Sequence, residues 1–414
     1  MKLHFEFSDR TIYDIVHPCI TTIFVCSYIA IHPDVPGQKD RWFHVLLRKL
    51  GIALLMLLVP ELVIFWPLRQ HMAAIVIARA YKNRGWTRAH GFLLAMGGFA
   101  LYDGFTHEYI ETLTLERFDE LVESGEIEFP NITAERVGEL GKADYFSKAV
   151  VVLQTTWFVT QCVARVVNKL ALTEFEVITL ALAILNAFMY GLWWDKPMDV
   201  GMPVQVYRRT GHGQYTPKSD KNARPMNAWS ILGELTMIPT FTKLIGAYQP
   251  LEEDGRARSF ITPSFDNLDT LNGQSLRRLS RGHQFKIMSV LTAVFILFGA
   301  IHFVPWFYPY PSQLQKWLWI AGSVSIVLFP IGALIVFYPM AGLMVRWKMV
   351  TDRYLLLYRI ALTSTILSYF LSRVIVLVLP VVELFSRTEE GDYFIQTANI
   401  GTAIDWTGFL PHFG

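Results

Sequence analysis

The chain has 414 residues, of which 52% are hydrophobic and only 17% are charged. Soluble domains average about a quarter charged residues, so this composition argues against an ordinary soluble enzyme and against intrinsic disorder. The 37 basic and 35 acidic residues leave a net charge of +2, which gives no electrostatic basis for binding nucleic acid. The three cysteines all lie in apolar stretches and predict neither a disulfide framework nor a metal-binding spacing.

Seven segments are long and apolar enough to cross a bilayer, which takes about 20 residues of helix. We therefore predict an all-α fold, a polytopic transmembrane bundle of about seven spans with cytoplasmic amphipathic helices. A shorter apolar patch, Phe92–Leu101, predicts an interfacial or re-entrant segment, and we expect Pro380 to end the seventh span. The predicted spans are Thr11–Ile31, Leu50–Trp66, Phe146–Val167, Glu176–Trp194, Lys286–Trp306, Trp317–Val345 and Tyr354–Phe385.

These segments divide the chain into six regions that alternate between spans and polar loops. The regions are 1–103 (two spans and the short apolar patch), 104–145 (a polar acidic loop), 146–194 (a helical hairpin of spans three and four), 195–285 (a large loop), 286–385 (the last three spans) and 386–414 (the C-terminal tail).

The polar loops contain further helix patterns, and their basic residues predict on which side of the membrane each loop lies. Amphipathic helices are predicted over Leu115–Ser124 and from Thr133 to about Leu140, and a surface helix over Trp229–Ile238. Basic residues are concentrated after the second, fourth and sixth spans, which predicts that these loops are cytoplasmic.

Polar side chains follow one face of each helix in the predicted hairpin. Gln154, Gln161 and Arg165 share a face of the third span, and Asn186 and Tyr190 share a face of the fourth. Because only a few residues join the two spans, we expect them to pack antiparallel with these faces in contact. The pattern indicates either a hydrated pathway or substrate cleft, or simple hydrogen bonding between helices.

Glu61 is an ionisable residue inside the second predicted span, directly after Pro60. A carboxylate beside a helix break predicts an ion or proton site, because the break exposes backbone carbonyls. The same carboxylate could instead pair with Arg359 or Arg373 of the seventh span.

Asp195 and Asp199 follow the fourth span at a spacing of four. Two such carboxylates could hold Mg²⁺ on a diphosphate substrate. The alternative interpretation is a tryptophan-rich helix end, at Trp193 and Trp194, followed by solvated charges.

A specific set of residues occurs through positions 142–197 of the predicted hairpin region, at Lys142–Lys148, Gln154, Trp157, Gln161, Arg165, Leu172–Glu174, Glu176, Asn186, Tyr190, Trp193, Trp194, Lys196 and Pro197. With these residues the chain resembles a large group of fungal multi-pass membrane proteins of unassigned function. The resemblance extends over nearly the whole chain and implies a polytopic fold, but it brings no catalytic residues with it.

Three functional hypotheses remain open. The first is a channel or transporter in the lipid bilayer, which could assemble as a homo-oligomer, with its pathway along spans three and four. The second is a membrane-embedded enzyme acting on a lipid or isoprenoid, with Mg²⁺ near Asp195 and Asp199. The third is a receptor or scaffold. The sequence contains none of the common hydrolase, phosphate-loop or zinc motifs.

Overall fold

The structure is a computed structural model that describes most of the chain outside its largest loop. The predicted surface helix at Trp229–Ile238 lies outside the described residues, as do parts of the fifth and sixth predicted spans. The described residues are 7–8, 12–37, 40–141, 144–168, 170, 172–209, 293–307, 310, 312–332, 352–389 and 403–404.

The described part is mainly helical, with two small sheets. The helices are α1 (Ile12–Phe24, extended by a π-turn at Val25–Ile29), α2 (Trp42–Leu58), α3 (Pro60–Val63), α4 (Phe65–Ala80), α5 (Arg88–Ala95), α6 (Leu115–Glu123), α7 (Ala134–Glu139), α8 (Asp144–Val167), α9 (Glu174–Leu192), α10 (Ala293–Phe307), α11 (Gln313–Gly332) and α12 (Asp352–Glu389). The strands are β1 (Phe7–Ser8), β2 (Phe99–Tyr102), β3 (Tyr109–Thr112), β4 (Val204–Tyr207) and β5 (Ala403–Ile404).

Four helices of the described residues are long and apolar enough to cross a membrane, so the structure does not support the predicted seven spans. They correspond to the first, third, fourth and seventh predicted segments. Their bounds are Ile12–Ile29, Phe146–Val167, Glu174–Leu192 and Thr363–Val382. Helix α12 continues beyond Pro380 to Glu389, so the proline does not end the helix. These four helices are compatible with a membrane location.

The second predicted span is not one continuous helix. Helix α2 ends at Leu58, and the separate helices α3 and α4 follow over Pro60–Val63 and Phe65–Ala80. The chain breaks before Pro60 because proline has no N–H to donate and disfavours a helical conformation in the preceding residue. This break puts irregular backbone beside Glu61.

Helices α1, α8 and α9 pack into a three-helix layer. A capping box starts α9, because Thr173 and Glu176 each bond to the backbone N–H of the other. Val151 of α8 lies in one buried cluster with Val25 of α1 and Tyr190 of α9. Helices α8 and α9 follow each other closely in the chain and are in contact, which agrees with the predicted antiparallel hairpin, and α1 packs against both of them.

The segment Phe92–Leu101, predicted to be interfacial or re-entrant, belongs to a small α/β unit in which helix α5 is followed by strand β2. Helix α5 ends at Ala95, and Gly97 at φ +77° turns the chain directly into β2. Strand β2 pairs antiparallel with β3 and parallel with β4. Helices α6 and α7 are close to their predicted bounds, each capped by a threonine. The core of the unit is aromatic: Trp86, Phe99, Phe118 and Phe129.

Gly91 lets helix α5 of this unit pack closely against α4. A Cβ atom built on Gly91 of α5 would lie 2.4 Å from the backbone oxygen of Ala74 in α4. Only glycine fits at so close a crossing of two helices. The position of α4, which carries residues of the candidate site, therefore depends on this contact.

Candidate functional site

Two clusters of buried polar side chains lie along α3 and α4. The first, which we call the lysine cluster, consists of Lys196, Asp34, Gln70, His32 and Trp193. Lys196 has no exposed side-chain surface, and its Nζ donates to Asp34 Oδ1 at 2.9 Å. The same Nζ donates to Gln70 Oε1 at 2.9 Å and to the backbone oxygen of His32 at 2.6 Å. Three acceptors thus surround one buried cation.

A second layer of bonds fixes the acceptors of the lysine cluster. Gln70 Nε2 donates to Asp34 Oδ1 at 2.8 Å, and Trp193 Nε1 donates to Gln70 Oε1 at 2.9 Å. Lys196 Nζ also lies 5.1 Å from the ring centroid of Trp193 and 5.2 Å from that of Trp66. Aromatic faces stabilise a desolvated cation. Burial lowers the pKa of Lys196, and the neighbouring carboxylate of Asp34 opposes that shift.

The end of α9 explains why Lys196 points inward. The helix closes at Trp193, and Lys196 N–H then donates to the Trp193 carbonyl at 2.8 Å, so the chain turns back under the helix end. His71 of α4 bonds to the carbonyl of Leu192 at 2.8 Å. The lysine therefore enters the junction between α4, α9 and the segment that follows α1.

His32 is fully buried beside the cation. Its Nδ1 bonds the carbonyl of Ala30 at 2.9 Å, and since a carbonyl can only accept, Nδ1 carries the proton. Its Nε2 has no hydrogen-bond partner among the described residues. Burial, followed by the charge of Lys196, lowers the pKa of His32 to about 3, so the ring is neutral at physiological pH.

His32 predicts a pH dependence of stability. Its folded pKa of about 3 lies below the ordinary value of 6.5, so between these values the unfolded chain binds a proton that the folded chain does not. We expect the free energy of unfolding to fall as the pH drops from 6.5 towards 3. His32→Phe should flatten that slope in detergent-solubilised protein, while a substitution at the exposed His17 should not. An equal slope in wild type and His32→Phe would contradict this assignment.

The second cluster, which we call the glutamate cluster, consists of Glu61, Tyr369, Arg373 and His302. Tyr369 Oη donates to Glu61 Oε2 at 2.5 Å. Arg373 bonds His302 Nε2 at 3.2 Å and the backbone oxygen of Leu57, at the break between α2 and α3, at 3.4 Å. Glu61 is 1% exposed and Arg373 is not exposed at all.

The tautomer of His302 follows from its other contact. His302 Nδ1 lies 2.9 Å from the carbonyl of Phe298 and must donate to it, so Nε2 is the acceptor for Arg373. Glu61 Oε1 and Arg373 Nε have no hydrogen-bond partner among the described residues. Arg373 lies near the middle of the apolar segment Thr363–Val382. The cluster thus combines an acid, a cation and a neutral imidazole at mid-span.

The polar faces predicted for spans three and four are packed among α1, α8 and α9. Gln154 Nε2 donates to Thr22 Oγ1 of α1 at 3.0 Å, so this residue contacts α1. Tyr190 is buried with its ring 5.4 Å from that of His32. Asn186 is also buried, whereas Gln161 and Arg165 are half-buried. A pathway along these residues stays a prediction.

The two aspartates proposed to bind Mg²⁺ each have a basic partner. Asp195 Oδ2 lies 2.9 Å from an Arg88 nitrogen, and both oxygens of Asp199 lie 3.3 Å from Lys49 Nζ. Within the described ranges, no three His, Cys, Asp or Glu residues are grouped so that they could hold a metal ion. The metal hypothesis stays a prediction that these contacts do not favour.

The glutamate cluster was partly predicted and the lysine cluster was not. The sequence identified Glu61 and named Arg373 as an alternative partner, but it gave no sign of Tyr369 or His302. The sequence places Lys196 among the solvated charges that follow Trp193 and Trp194, and this interpretation is wrong because its side chain is fully buried. The signal that could have found it is a lone lysine directly after a span that closes on aromatic residues.

Comparison with known proteins gives one family and no activity. The model of a family of unknown function (DUF8562) matches residues 77–215. This range covers the small α/β unit, the hairpin and Lys196. No curated protein and no solved structure matches the chain. The matched family has no assigned function, and the same is true of the proteins that the sequence resembles.

Proposed function

We propose that the protein is an integral, multi-pass membrane protein that moves protons across the bilayer, as a channel or a proton-linked transporter. The glutamate cluster is its mid-membrane site. Glu61 would take up and release the proton, Arg373 would set the charge around it, and Tyr369 would orient its carboxylate. The lysine cluster, further along α4, would line one end of the route.

The observation that carries this proposal is the burial of Glu61 and Arg373 at mid-span. Ionisable groups at membrane depth are costly and usually mark an ion or proton route. Each of the two keeps one polar atom that has no hydrogen-bond partner among the described residues. A purely structural ion pair would be expected to satisfy both atoms, because an unsatisfied buried polar group is destabilising.

The backbone beside Glu61 supports the same proposal. Irregular backbone at membrane depth is tolerated where it is buried in protein or lines a hydrated cavity, and interrupted helices are a common feature of transporter sites. Glu61 lies in the short helix α3, two residues after the break at Val59. Gln70 follows nine residues later, roughly 14 Å along a helix, and Trp66 lies between them against Trp193 and Lys196.

The other hypotheses have less support. A route along spans three and four would use Gln154 and Asn186, but Gln154 is engaged by α1. An enzyme with a metal at Asp195 and Asp199 would have to displace their basic partners. Nothing in the described residues favours a receptor or scaffold over these.

Proton flux into proteoliposomes tests the proposal. The vesicles carry a trapped pH-sensitive dye and an imposed potassium diffusion potential. The pH of the vesicle interior should change faster with the wild-type chain than without protein, in the direction set by the sign of the potential. Glu61→Gln keeps the shape of the side chain and an acceptor for Tyr369 but cannot exchange a proton. We expect it to reduce the protein-dependent flux by roughly tenfold or more.

Two further variants make the result specific. Glu139→Gln changes an exposed carboxylate paired with Arg136 and should leave the flux unchanged. Gln161→Leu alters the other predicted route and should also have little effect. Wild-type flux no greater than that of empty vesicles would overturn the proposal. A loss of flux in Gln161→Leu but not in Glu61→Gln would favour the route along spans three and four.

A further inference from the structure

A cavity of about 480 Å³ lies where α8 meets the small α/β unit. One wall is the start of α8, with Lys148 and Val152, and another is α7, with Val137 and Gly138. The chain that follows α9, from Trp194 to Pro197, closes the base. This volume is in the range of small-molecule sites.

The charges in the lining favour an anion. The lining contains Lys148, Asp195 and Lys196, but the Nζ of Lys196 is buried in the lysine cluster and paired with Asp34. Asp195 is itself paired with Arg88 at 2.9 Å. Lys148 Nζ donates to the backbone oxygen of Trp194 at 3.2 Å, which holds the amino group at the edge of the cavity. Because Arg88 offsets the charge of Asp195, the ammonium of Lys148 is the charge that this cavity presents to an anion.

The cavity continues into an apolar surface on α8. Val152 lines it and is 41% exposed, and the neighbouring Leu153 and Trp157 are 69% and 40% exposed on the same helix. These residues lie inside the apolar segment Phe146–Val167. Trp194, 56% exposed, has the position expected of a tryptophan at a membrane interface. A ligand here would have its charged part at the interface and its apolar part along α8.

We propose that this cavity binds the head group of an anionic phospholipid, with its acyl chains along the exposed face of α8. In phosphatidylserine, the phosphate and the serine carboxylate of the head group would lie near Lys148. The glycerol region would pass Val152. The basic loops predict that this end of the hairpin is cytoplasmic, and the cytoplasmic leaflet is the one enriched in anionic lipid.

Native mass spectrometry of the full chain, delipidated in detergent, tests the proposal. Phosphatidylserine and phosphatidylcholine with identical acyl chains would be titrated separately. We expect a one-to-one adduct with phosphatidylserine whose apparent Kd is roughly tenfold lower than that for phosphatidylcholine. Lys148→Gln should reduce the preference to that of a neutral lipid, while Lys82→Gln, an exposed lysine outside the cavity, should not.

A second variant guards against a change in fold. A Cβ atom at Gly138, which lines the cavity, would meet no atom within 4 Å, so the backbone tolerates a side chain there, and we expect Gly138→Leu to fill part of the cavity and weaken binding of phosphatidylserine. Equal binding of both lipids, or unchanged preference in Lys148→Gln and Gly138→Leu, would overturn the proposal. Complete competition by millimolar inorganic phosphate would also overturn it, because the ligand would then be a soluble anion. Glu61→Gln should bind lipid as wild type does, so this test is independent of transport.

Discussion

Lys196→Met is expected to lower the free energy of unfolding by about 3–5 kcal/mol, the range for removing one partner of a buried ion pair. Methionine fills a similar volume but cannot donate to Asp34, Gln70 or the His32 carbonyl. Asp34 Oδ1 and Gln70 Oε1 would keep the bonds from Gln70 Nε2 and Trp193 Nε1, but the buried charge of Asp34 would lose the cation that now balances it. Reversible unfolding in mixed micelles, followed by tryptophan fluorescence, would measure the loss.

A matched lysine provides the control for that change. Lys49 pairs with Asp199 at 3.3 Å, and the Asp199 side chain is 41% exposed, so Lys49→Met should cost only about 0–1 kcal/mol. The double variant Asp34→Leu/Lys196→Met should recover part of the stability, because it removes the buried carboxylate as well. A loss in Lys196→Met no larger than that in Lys49→Met would mean that the cluster contributes little.

Gly91→Ala is expected to cost about 3 kcal/mol, at the upper end of the range for overpacking a well-packed core. The added Cβ would meet Ala74 at 2.4 Å from its backbone oxygen and 2.7 Å from its Cα. Neither atom can move alone, since both belong to the backbone of α4. The two helices would have to separate, which would also disturb Gln70 on α4.

Gly138→Ala is the matched control, because this helical glycine has no atom within 4 Å of its built Cβ. Alanine there should be neutral or stabilising by about 0.5–1 kcal/mol, from helix propensity and reduced freedom of the unfolded chain. Thermal unfolding of both variants in the same detergent would compare them. Equal melting temperatures for Gly91→Ala and Gly138→Ala would show that the crossing of α4 and α5 is looser than the structure indicates.

Local sequence signals predicted the local structure. The few residues between the third and fourth spans predicted the hairpin, and Thr173 with Glu176 defines the start of α9 through a bond pattern that spans three residues. The amphipathic pattern of α6 likewise places Leu115, Phe118 and Leu121 in the core. In each case, the residues that decide the structure lie within one or two helical turns of each other.

The long-range pairings could not be predicted, because the residues that pair are far apart in the sequence. Lys196 bonds Asp34 across 162 residues of sequence, and Tyr369 bonds Glu61 across 308. No periodicity or capping pattern links such positions. The sequence indicates only the length of the apolar patch at Phe92–Leu101, because β2 within it is four residues long and one of its two partners, β4, lies about 100 residues further on. Without that partner, a four-residue strand carries too little pattern to be recognised.

The parallel pairing of β2 with β4 also constrains the order in which the chain can fold during its synthesis. Both helices of the hairpin lie between these two strands, so during translation β2 emerges well before its partner exists. The small unit would complete its sheet only after α8 and α9 have been synthesised. Completion of the sheet would then be a late step that depends on the hairpin having formed. A chain whose hairpin fails to form would keep an unpaired strand edge that quality-control factors can recognise.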